Sequence, residues 1–219
     1  ALSIYRKAAP LNRGSLVLTL CQMGFAAERA GDWPAAEGHL REALAVSEPL
    51  QPWHRVNRTV ILSNLAYLLN AHGNLSEAES LQREVLRVMR SAKGEDDPET
   101  IACMSGLAGY LIEQRKLDEA ETLGRQALEL QRLLPSTSNR AGLADALNVL
   151  GASLFWKGDF AGAETQLRES LGLQSTPESR RSAQYAMTLG VLGAALSEIG
   201  KPDDAEPLLH ESAEKMAAA

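Results

Sequence analysis

Small residues recur along this chain on a near-constant period, each set among large apolar neighbours. A turn, an apolar residue and the pair Ala-Glu occur together five times, and the small residue twelve positions before each of these alanines belongs to the same pattern. Because small side chains let helices cross closely, and the spacing fits two helices joined by a turn, the pattern predicts five helical hairpins. The ten packing positions are Gly24, Ala36, Ala66, Ala78, Ala108, Ala120, Gly151, Ala163, Gly193 and Ala205.

The turns inside the hairpins carry recognisable stop and start signals. A glycine ends the first helix in four copies, and Arg115 takes its place in the third. Asp32, Ser76 and Asp118 are expected to cap the second helices, since their side-chain oxygens can accept hydrogen bonds from unpaired backbone N–H groups.

A hairpin of this kind cannot bury its apolar stripe alone. Successive hairpins must therefore stack on one another and share a continuous core. The predicted fold class is all-α, an α-solenoid of stacked antiparallel helical hairpins.

The repeated Gly-x-Trp/Leu/Phe-x-x-Ala-Glu segment after a small-residue helix resembles the tetratricopeptide repeat (TPR). The usual repeat has 34 residues, whereas here the alanines Ala36 and Ala78 are 42 residues apart, and this longer form looks like the repeats of kinesin light chains. The segment 94–100 is similar to the Gly-x-Asp-x-Pro linker of such repeats, with Asp97 suited to cap a helix that begins at Pro98; the linkers 47–57 and 134–139 depart from it. The resemblance implies a right-handed superhelix.

The period also predicts the organisation of the whole chain as one array. Residues 1–9 are expected to be the second helix of a preceding repeat, since residues 1–4 align with residues 43–46. No polar capping helix is apparent, so we expect a fragment of a larger protein whose exposed end faces allow self-association. The predicted repeats are 15–48, 55–92, 98–134, 139–174 and 178–217.

Composition and charge exclude several classes of partner and location. The net charge is -6 and no block of Lys and Arg occurs, which argues against nucleic acid. No apolar run is long enough for membrane insertion, and no secretory signal is visible at the start. We therefore expect a cytoplasmic protein with Cys21 and Cys103 as free thiols.

Candidate chemistry is sparse. The four histidines are scattered, and no spacing typical of metal ligands, phosphate-binding loops or a nucleophile with its base is present. The acidic pairs Asp96-Asp97 and Asp203-Asp204 fall at predicted helix starts, where carboxylates favour the helix dipole. We expect no enzymatic activity, no cofactor and no metal.

The first helices of the hairpins are expected to line a concave groove. Phe25, Tyr67 and Trp156 could anchor a bound peptide, while Asn70 and Asn148 could hold its backbone; alternatively, the rings fill space between repeats. The Lys/Arg and Asn clamp with which related chaperone-binding domains hold a terminal carboxylate is not matched. The candidate groove residues are Cys21, Phe25, Ser63, Tyr67, Asn70, Ser105, Ile112, Asn148, Phe155, Trp156, Met187 and Glu198.

Two functions fit these observations. The favoured one is a non-catalytic scaffold that binds a peptide or protein segment in the groove. The alternative, which rests on analogy, is a regulatory or sensor array that controls an attached signalling domain such as a bacterial kinase or a nucleotide-dependent regulator.

Overall fold

The computed structural model describes residues 13–47, 54–135 and 139–217, and within these ranges it contains ten α-helices, one short 3-10 helix and no strand. The chain clusters into two compact units, Ala1–Glu95 and Asp96–Ala219. The expected helix at residues 1–9 lies outside the described residues. The all-α repeat architecture predicted from the periodicity is confirmed.

The first unit contains four described helices, which pair consecutively. Helix α1 (Arg13–Arg29) packs against α2 (Trp33–Ser47), and α3 (His54–Ala71) packs against α4 (Leu75–Lys93). Helix α2 also contacts α3, so the second helix of one hairpin joins it to the next.

The second unit continues the same scheme with three hairpins. They are α5 (Pro98–Glu113) with α6 (Leu117–Leu133), α7 (Arg140–Lys157) with α8 (Phe160–Leu173), and α9 (Ala183–Glu198) with α10 (Pro202–Ala217). The 3-10 helix Ser179–Arg181 precedes α9.

All ten small packing positions are buried. A Cβ atom added to Gly151 would lie 2.6 Å from Cγ of Leu167, and one added to Gly24 would lie 3.1 Å from Cγ of Leu40. The two helices of a hairpin therefore approach so closely at these points that even a methyl group is tightly accommodated.

The repeat register also sets where each second helix begins. The backbone N–H of each packing alanine donates to the carbonyl oxygen four residues earlier, as Ala78 does to Asn74 and Ala120 to Lys116. The capping position is therefore always four residues before the alanine. Asp32 occupies it, and its carboxylate accepts a hydrogen bond from the N–H of Ala35.

Two predicted caps are wrong for the same reason. Ser76 and Asp118 lie inside the first turns of α4 and α6, and the residues at the capping positions there, Asn74 and Lys116, make no side-chain cap hydrogen bond. At the linker, by contrast, the prediction is confirmed: the Asp97 carboxylate accepts from two backbone N–H groups at the start of α5.

Ion pairs join neighbouring repeats within each unit. In the second unit, Nζ of Lys157 lies 2.6 Å from Asp118 and 2.7 Å from Glu121, and Nζ of Lys201 lies 2.9 Å from Glu164. In the first unit, the guanidinium of Arg41, within α2, lies 2.8 Å from Glu77 in the first turn of α4. All of these contacts connect one hairpin to the next.

Candidate functional site

An apolar cleft of about 390 Å³ opens between α1 and α3 of the first unit. We call it the α1–α3 cleft. Its exposed lining surface is mostly apolar, with a few polar side chains among the aliphatic and aromatic ones. The lining residues are Gly14, Val17, Leu18, Cys21, Phe25, Ser47, Arg58, Val60, Ile61 and Asn64.

Large apolar side chains are unusually exposed around this cleft. Leu18 and Val60 are 61% and 58% exposed, and Phe25 and Tyr67 are 41% and 60% exposed. Leu18 and Val60 occupy equivalent repeat positions 42 residues apart, as do Phe25 and Tyr67. Tyr67 lies one helical turn beyond Asn64 on the same face of α3.

The polar groups of the cleft differ in whether they have hydrogen-bond partners. The Arg58 guanidinium donates to the Leu44 carbonyl oxygen at 3.1 Å and to the Ser47 hydroxyl at 3.2 Å, so it is held in place. The buried Nδ2 group of Asn64, in contrast, finds no acceptor in the described part of the chain. A ligand carbonyl could supply this missing acceptor after a small rearrangement.

Cys21 is the one thiol that lines the cleft. It is a half-buried free thiol, and burial raises its pKa because the thiolate is disfavoured away from water, so it reacts more slowly than an exposed cysteine at neutral pH. Because the thiol lines the cleft, a further fall in its alkylation rate can report that the cleft is occupied.

The corresponding faces in the second unit are different. The repeat position of Leu18 and Val60 is occupied there by Ala102, Asp145 and Met187. The position of Phe25 and Tyr67 is occupied by residues no larger than alanine, namely Gly109, Ala152 and Ala194. Helix α5 packs directly against α7, and the pockets of this unit lie near the starts of its first helices.

Asp145 lines two of those pockets, of about 370 and 330 Å³. Neighbouring atoms desolvate its carboxyl group, which raises its pKa. It makes no hydrogen bond or ion pair with another residue of the described ranges. No cation in the described part of the chain pairs with the carboxylate, but the residue is exposed, so water still compensates part of its charge.

The groove residues predicted in the first unit fall in and beside the cleft. Cys21 and Phe25 line it, Tyr67 is exposed, and Ser63 and Asn70 are half-buried on α3. The groove residues predicted from the sequence do not include Leu18 and Val60. Their signal in the sequence is the recurrence of a large apolar residue after 42 residues at a position where the second unit has Ala102 and Asp145.

The groove residues predicted in the second unit are more dispersed. Ser105 is buried, so its hydroxyl belongs to the packing between helices rather than to an open surface. The Asn148 side chain accepts a hydrogen bond of 3.0 Å from the Thr188 hydroxyl and so links α7 to α9. Ile112 is half-buried, whereas Met187 and Glu198 are exposed.

Phe155 and Trp156 form a small aromatic cluster with Phe160 at the end of α7. The Phe155 ring lies 5.1 Å from the Trp156 ring and 5.6 Å from the Phe160 ring. Above the half-exposed Trp156 ring, at 3.9 Å from its centroid, lies the guanidinium carbon of Arg115. Arg115 was not among the groove candidates, although its sequence signal is clear, because it replaces a repeat glycine.

Two other properties bear on function. No group of three or more His, Cys, Asp or Glu side chains within the described ranges is arranged to hold a metal ion. None of the helices in those ranges is both long enough and apolar enough to span a bilayer.

Comparison with known families gives two matches. Residues 57–132 and residues 143–174 each match a tetratricopeptide repeat model. No curated protein sequence gives a significant match to the chain.

Several solved structures share the fold. BtubC (BKLC) from P. vanneervenii superimposes with a TM-score of 0.75 at 25% identity, covering 100% of this chain and 87% of that one. A putative kinesin light chain of Podosopora anserina with nearly identical TPR-like repeats gives 0.68 at 18% identity, covering 92% of this chain and 95% of that one.

A Rap protein complexed with competence and sporulation factor also matches, with a TM-score of 0.72 at 17% identity. The match covers 90% of this chain and 53% of the Rap chain. Stacked helical repeats present extended surfaces for binding other polypeptides. Residues 57–132 and 143–174 therefore carry tetratricopeptide repeats, a fold that generally serves as a non-catalytic scaffold for protein interactions.

Proposed function

We propose that this protein binds an apolar segment of another polypeptide in the α1–α3 cleft. The observation that carries the proposal is the exposure of Leu18, Phe25, Val60 and Tyr67 around a cleft that is itself lined by apolar side chains. Clustered apolar surface of this kind, with polar groups at its margin, is typical of interaction sites.

The chemistry of the cleft defines the segment that it accepts. A ligand with two or more large apolar side chains would cover the exposed rings of Phe25 and Tyr67, and aromatic residues of this kind commonly dominate binding energy. The Asn64 amide would donate to a backbone carbonyl of the ligand, because its Nδ2 group has no acceptor among the described residues. The Arg58 guanidinium, already engaged with α2, frames one end.

The test begins with a peptide display library screened on the whole chain. For the tightest peptide recovered, we expect Phe25→Ala and Tyr67→Ala each to raise Kd at least about tenfold, the effect of removing an interface hot spot. Leu133→Ala is the matched control, since this side chain is 82% exposed on α6 and lies outside the cleft. Isothermal titration calorimetry would measure all three variants.

Cys21 provides a readout specific to the site. In a Cys103→Ser background, the peptide should slow alkylation of Cys21, because the thiol lines the cleft. If the peptide binds with unchanged affinity to Phe25→Ala and Tyr67→Ala and leaves the alkylation rate unaltered, the proposed site is wrong. A library that yields no binder would contradict the proposed function itself.

The alternative function is regulation of an attached domain. It is favoured by the likeness to the Rap protein that was solved with a bound factor, because the present chain corresponds to only part of that protein. In this version, a peptide in the cleft would change the activity of a neighbouring signalling domain rather than tether a partner. Joining this array to its native flanking sequence and measuring activity with and without the peptide distinguishes the two.

Catalysis, membrane insertion and nucleic-acid binding are not part of either version. The proposed location remains the cytoplasm, where the free thiols Cys21 and Cys103 would stay reduced. Self-association through the chain ends also remains a prediction, which light scattering over a range of concentrations would test.

A further inference from the structure

The turn between α5 and α6 holds a non-glycine residue, Arg115, in a backbone conformation that favours glycine. At the four equivalent turns the residue is a glycine with positive φ, at Gly31, Gly73, Gly158 and Gly200. At the fifth it is Arg115, with φ of 61°. Its N–H donates to the Ile112 carbonyl oxygen, just as the glycine N–H groups do in their turns, so the same conformation is kept.

A side chain at this position has a conformational cost. Either other contacts offset that cost, or the side chain has a function of its own. The left-handed region is unfavourable for residues with a Cβ atom, and glycine would adopt it without that cost. Such strain is found preferentially at functional positions, where the side chain has a task that the backbone does not need. The chain uses glycine in the four other turns, so the local structure does not require arginine.

The side chain of Arg115 is placed in a defined way. Its guanidinium lies over the half-exposed Trp156 ring, with 3.9 Å between the guanidinium carbon and the ring centroid. Stacking of this kind holds the plane of the guanidinium while its N–H groups remain directed outward along its edges. The Arg115 guanidinium and the Trp156 ring are thus pre-organised, since the ends of packed helices hold both residues in place.

Those N–H groups have no carboxylate partner among the described residues. Other arginines of the chain pair with a glutamate four residues earlier, as Arg125 does with Glu121 at 2.5 Å and Arg168 with Glu164 at 3.0 Å. The side chain of Arg115 makes no hydrogen bond or ion pair with any residue in the described ranges. Its neighbour Lys157 is already neutralised by Asp118 and Glu121.

We propose that Arg115 and Trp156 form a binding site for a carboxylate group of a partner polypeptide. The guanidinium edge donates two parallel hydrogen bonds to the carboxylate, and the Trp156 ring fixes the guanidinium plane and packs against the aliphatic part of the ligand. This site lies within the second unit and involves no residue of the α1–α3 cleft. It adds a preference for an acidic residue or a chain terminus to the proposed function.

The test is an NMR titration of the whole ¹⁵N-labelled chain, followed at the tryptophan indole N–H signals. The three tryptophans give three signals, and Trp156→Phe identifies the relevant one. The probes are acetyl-Ala-Glu-Ala-amide, its neutral counterpart acetyl-Ala-Gln-Ala-amide, and acetyl-Ala-Gln-Ala with a free carboxyl terminus. The first and third distinguish a side-chain carboxylate from a terminal one.

We expect the Trp156 indole signal to shift saturably with at least one carboxylate probe and not with the neutral amide, while the Trp33 signal stays in place. Arg115→Gly should abolish the shift, and Arg115→Lys should weaken binding at least about fivefold, because lysine keeps the charge and lacks the planar pair of donors. The melting temperature of Arg115→Gly should be unchanged or higher, since glycine suits this turn.

Three outcomes would overturn the proposal. They are an equal shift with the neutral probe, carboxylate binding by Arg115→Gly equal to that of the natural chain, and no saturable shift up to the solubility limit of either acid. A lowered melting temperature with unchanged binding would mean that Arg115 only stabilises the fold. Tyr67→Ala should leave this titration unaltered, so failure here and failure of the α1–α3 cleft are separate results.

Discussion

The two units are built from the same repeat and present different faces on their first helices. In the first unit, Leu18 and Val60 stand at one repeat position and Phe25 and Tyr67 at another, beside an open apolar cleft. In the second unit the latter position holds Gly109, Ala152 and Ala194, and α5 packs directly against α7.

The difference shows that the positions that hold a hairpin together are distinct from the positions available for binding a partner. The ten buried small positions are alike in both units, because close helix approach leaves no freedom in side-chain size there. The exposed positions carry no such constraint. At one repeat position they differ from aliphatic to acidic without changing the hairpin, as Val60 and Asp145 illustrate.

The largest expected effect concerns the packing that both units share. Gly151→Ala should lower the free energy of unfolding by about 1 to 2 kcal/mol, because its new methyl group would lie 2.6 Å from the fully buried Leu167. Gly24→Ala in the first unit should be close to neutral, since its contact with Leu40 at 3.1 Å is milder and alanine favours helix.

Gly193→Ala tests whether the freedom of the neighbouring leucine to move also affects the loss of stability. Its clash with Leu209, at 2.7 Å, is nearly as short as that at Gly151, but Leu209 is half-exposed and can move. We therefore expect an intermediate loss. Urea denaturation of the three variants would measure the order, and equal losses at all three sites would show that the distance to the neighbouring leucine does not set the cost.

The second prediction exchanges the distinguishing residue between the units. Val60→Asp introduces the residue that the second unit has at Asp145, and it should weaken binding of the selected peptide about tenfold, or about 1.4 kcal/mol. Met187→Asp changes the same repeat position in the second unit and should alter Kd less than about twofold. Calorimetric titration measures both, with circular dichroism to check folding.

A comparable loss in Met187→Asp would contradict the restriction of binding to the first unit. It would instead support the wider set of groove residues expected from the sequence. Unchanged binding in Val60→Asp would remove the cleft from consideration.

The smallest effect concerns the pH dependence of the second unit. Desolvation raises the pKa of Asp145 in the folded chain above its unfolded value, so the charged form destabilises the fold. This penalty is absent below the unfolded pKa, grows as the pH rises through the window between the two values, and is complete above the folded pKa. Asp145→Asn should therefore be more stable than the natural chain at pH 7, with the gain disappearing in acid.

Thermal unfolding at several pH values between 3 and 7 would follow this difference. Asp203→Asn is the control, because Asp203 lies in the first turn of α10 and lines neither of the two pockets that Asp145 lines. A gain at Asp145→Asn that persists unchanged into acid would mean that the substitution acts through helix propensity rather than charge.

The sequence was sufficient for the repeat architecture and less so for its details. The spacing of small residues predicted the all-α repeat fold and the tetratricopeptide resemblance, both of which are confirmed. Ser76 and Asp118 were misplaced as caps, because residue preference is weaker than the register set by Ala78 and Ala120.

The candidate site was harder to predict because exposure depends on neighbouring helices. Helical phase alone placed Ser105 on an open face, whereas the structure buries it between helices. The same reasoning omitted Leu18 and Val60, which periodicity assigns equally well to a core stripe. Arg115 was visible as an exception in the sequence, but its position over Trp156 requires the fold.

The ion pairs between neighbouring hairpins have a consequence for how each unit comes apart. Lys157 and Lys201 each reach only to the adjoining repeat, and their contacts are largely at the surface. Added salt weakens such contacts but not the packing at the buried small positions within each hairpin. In concentrated electrolyte, the coupling between adjoining hairpins would thus weaken modestly and melting would broaden slightly, while the shared apolar core keeps the hairpins stacked.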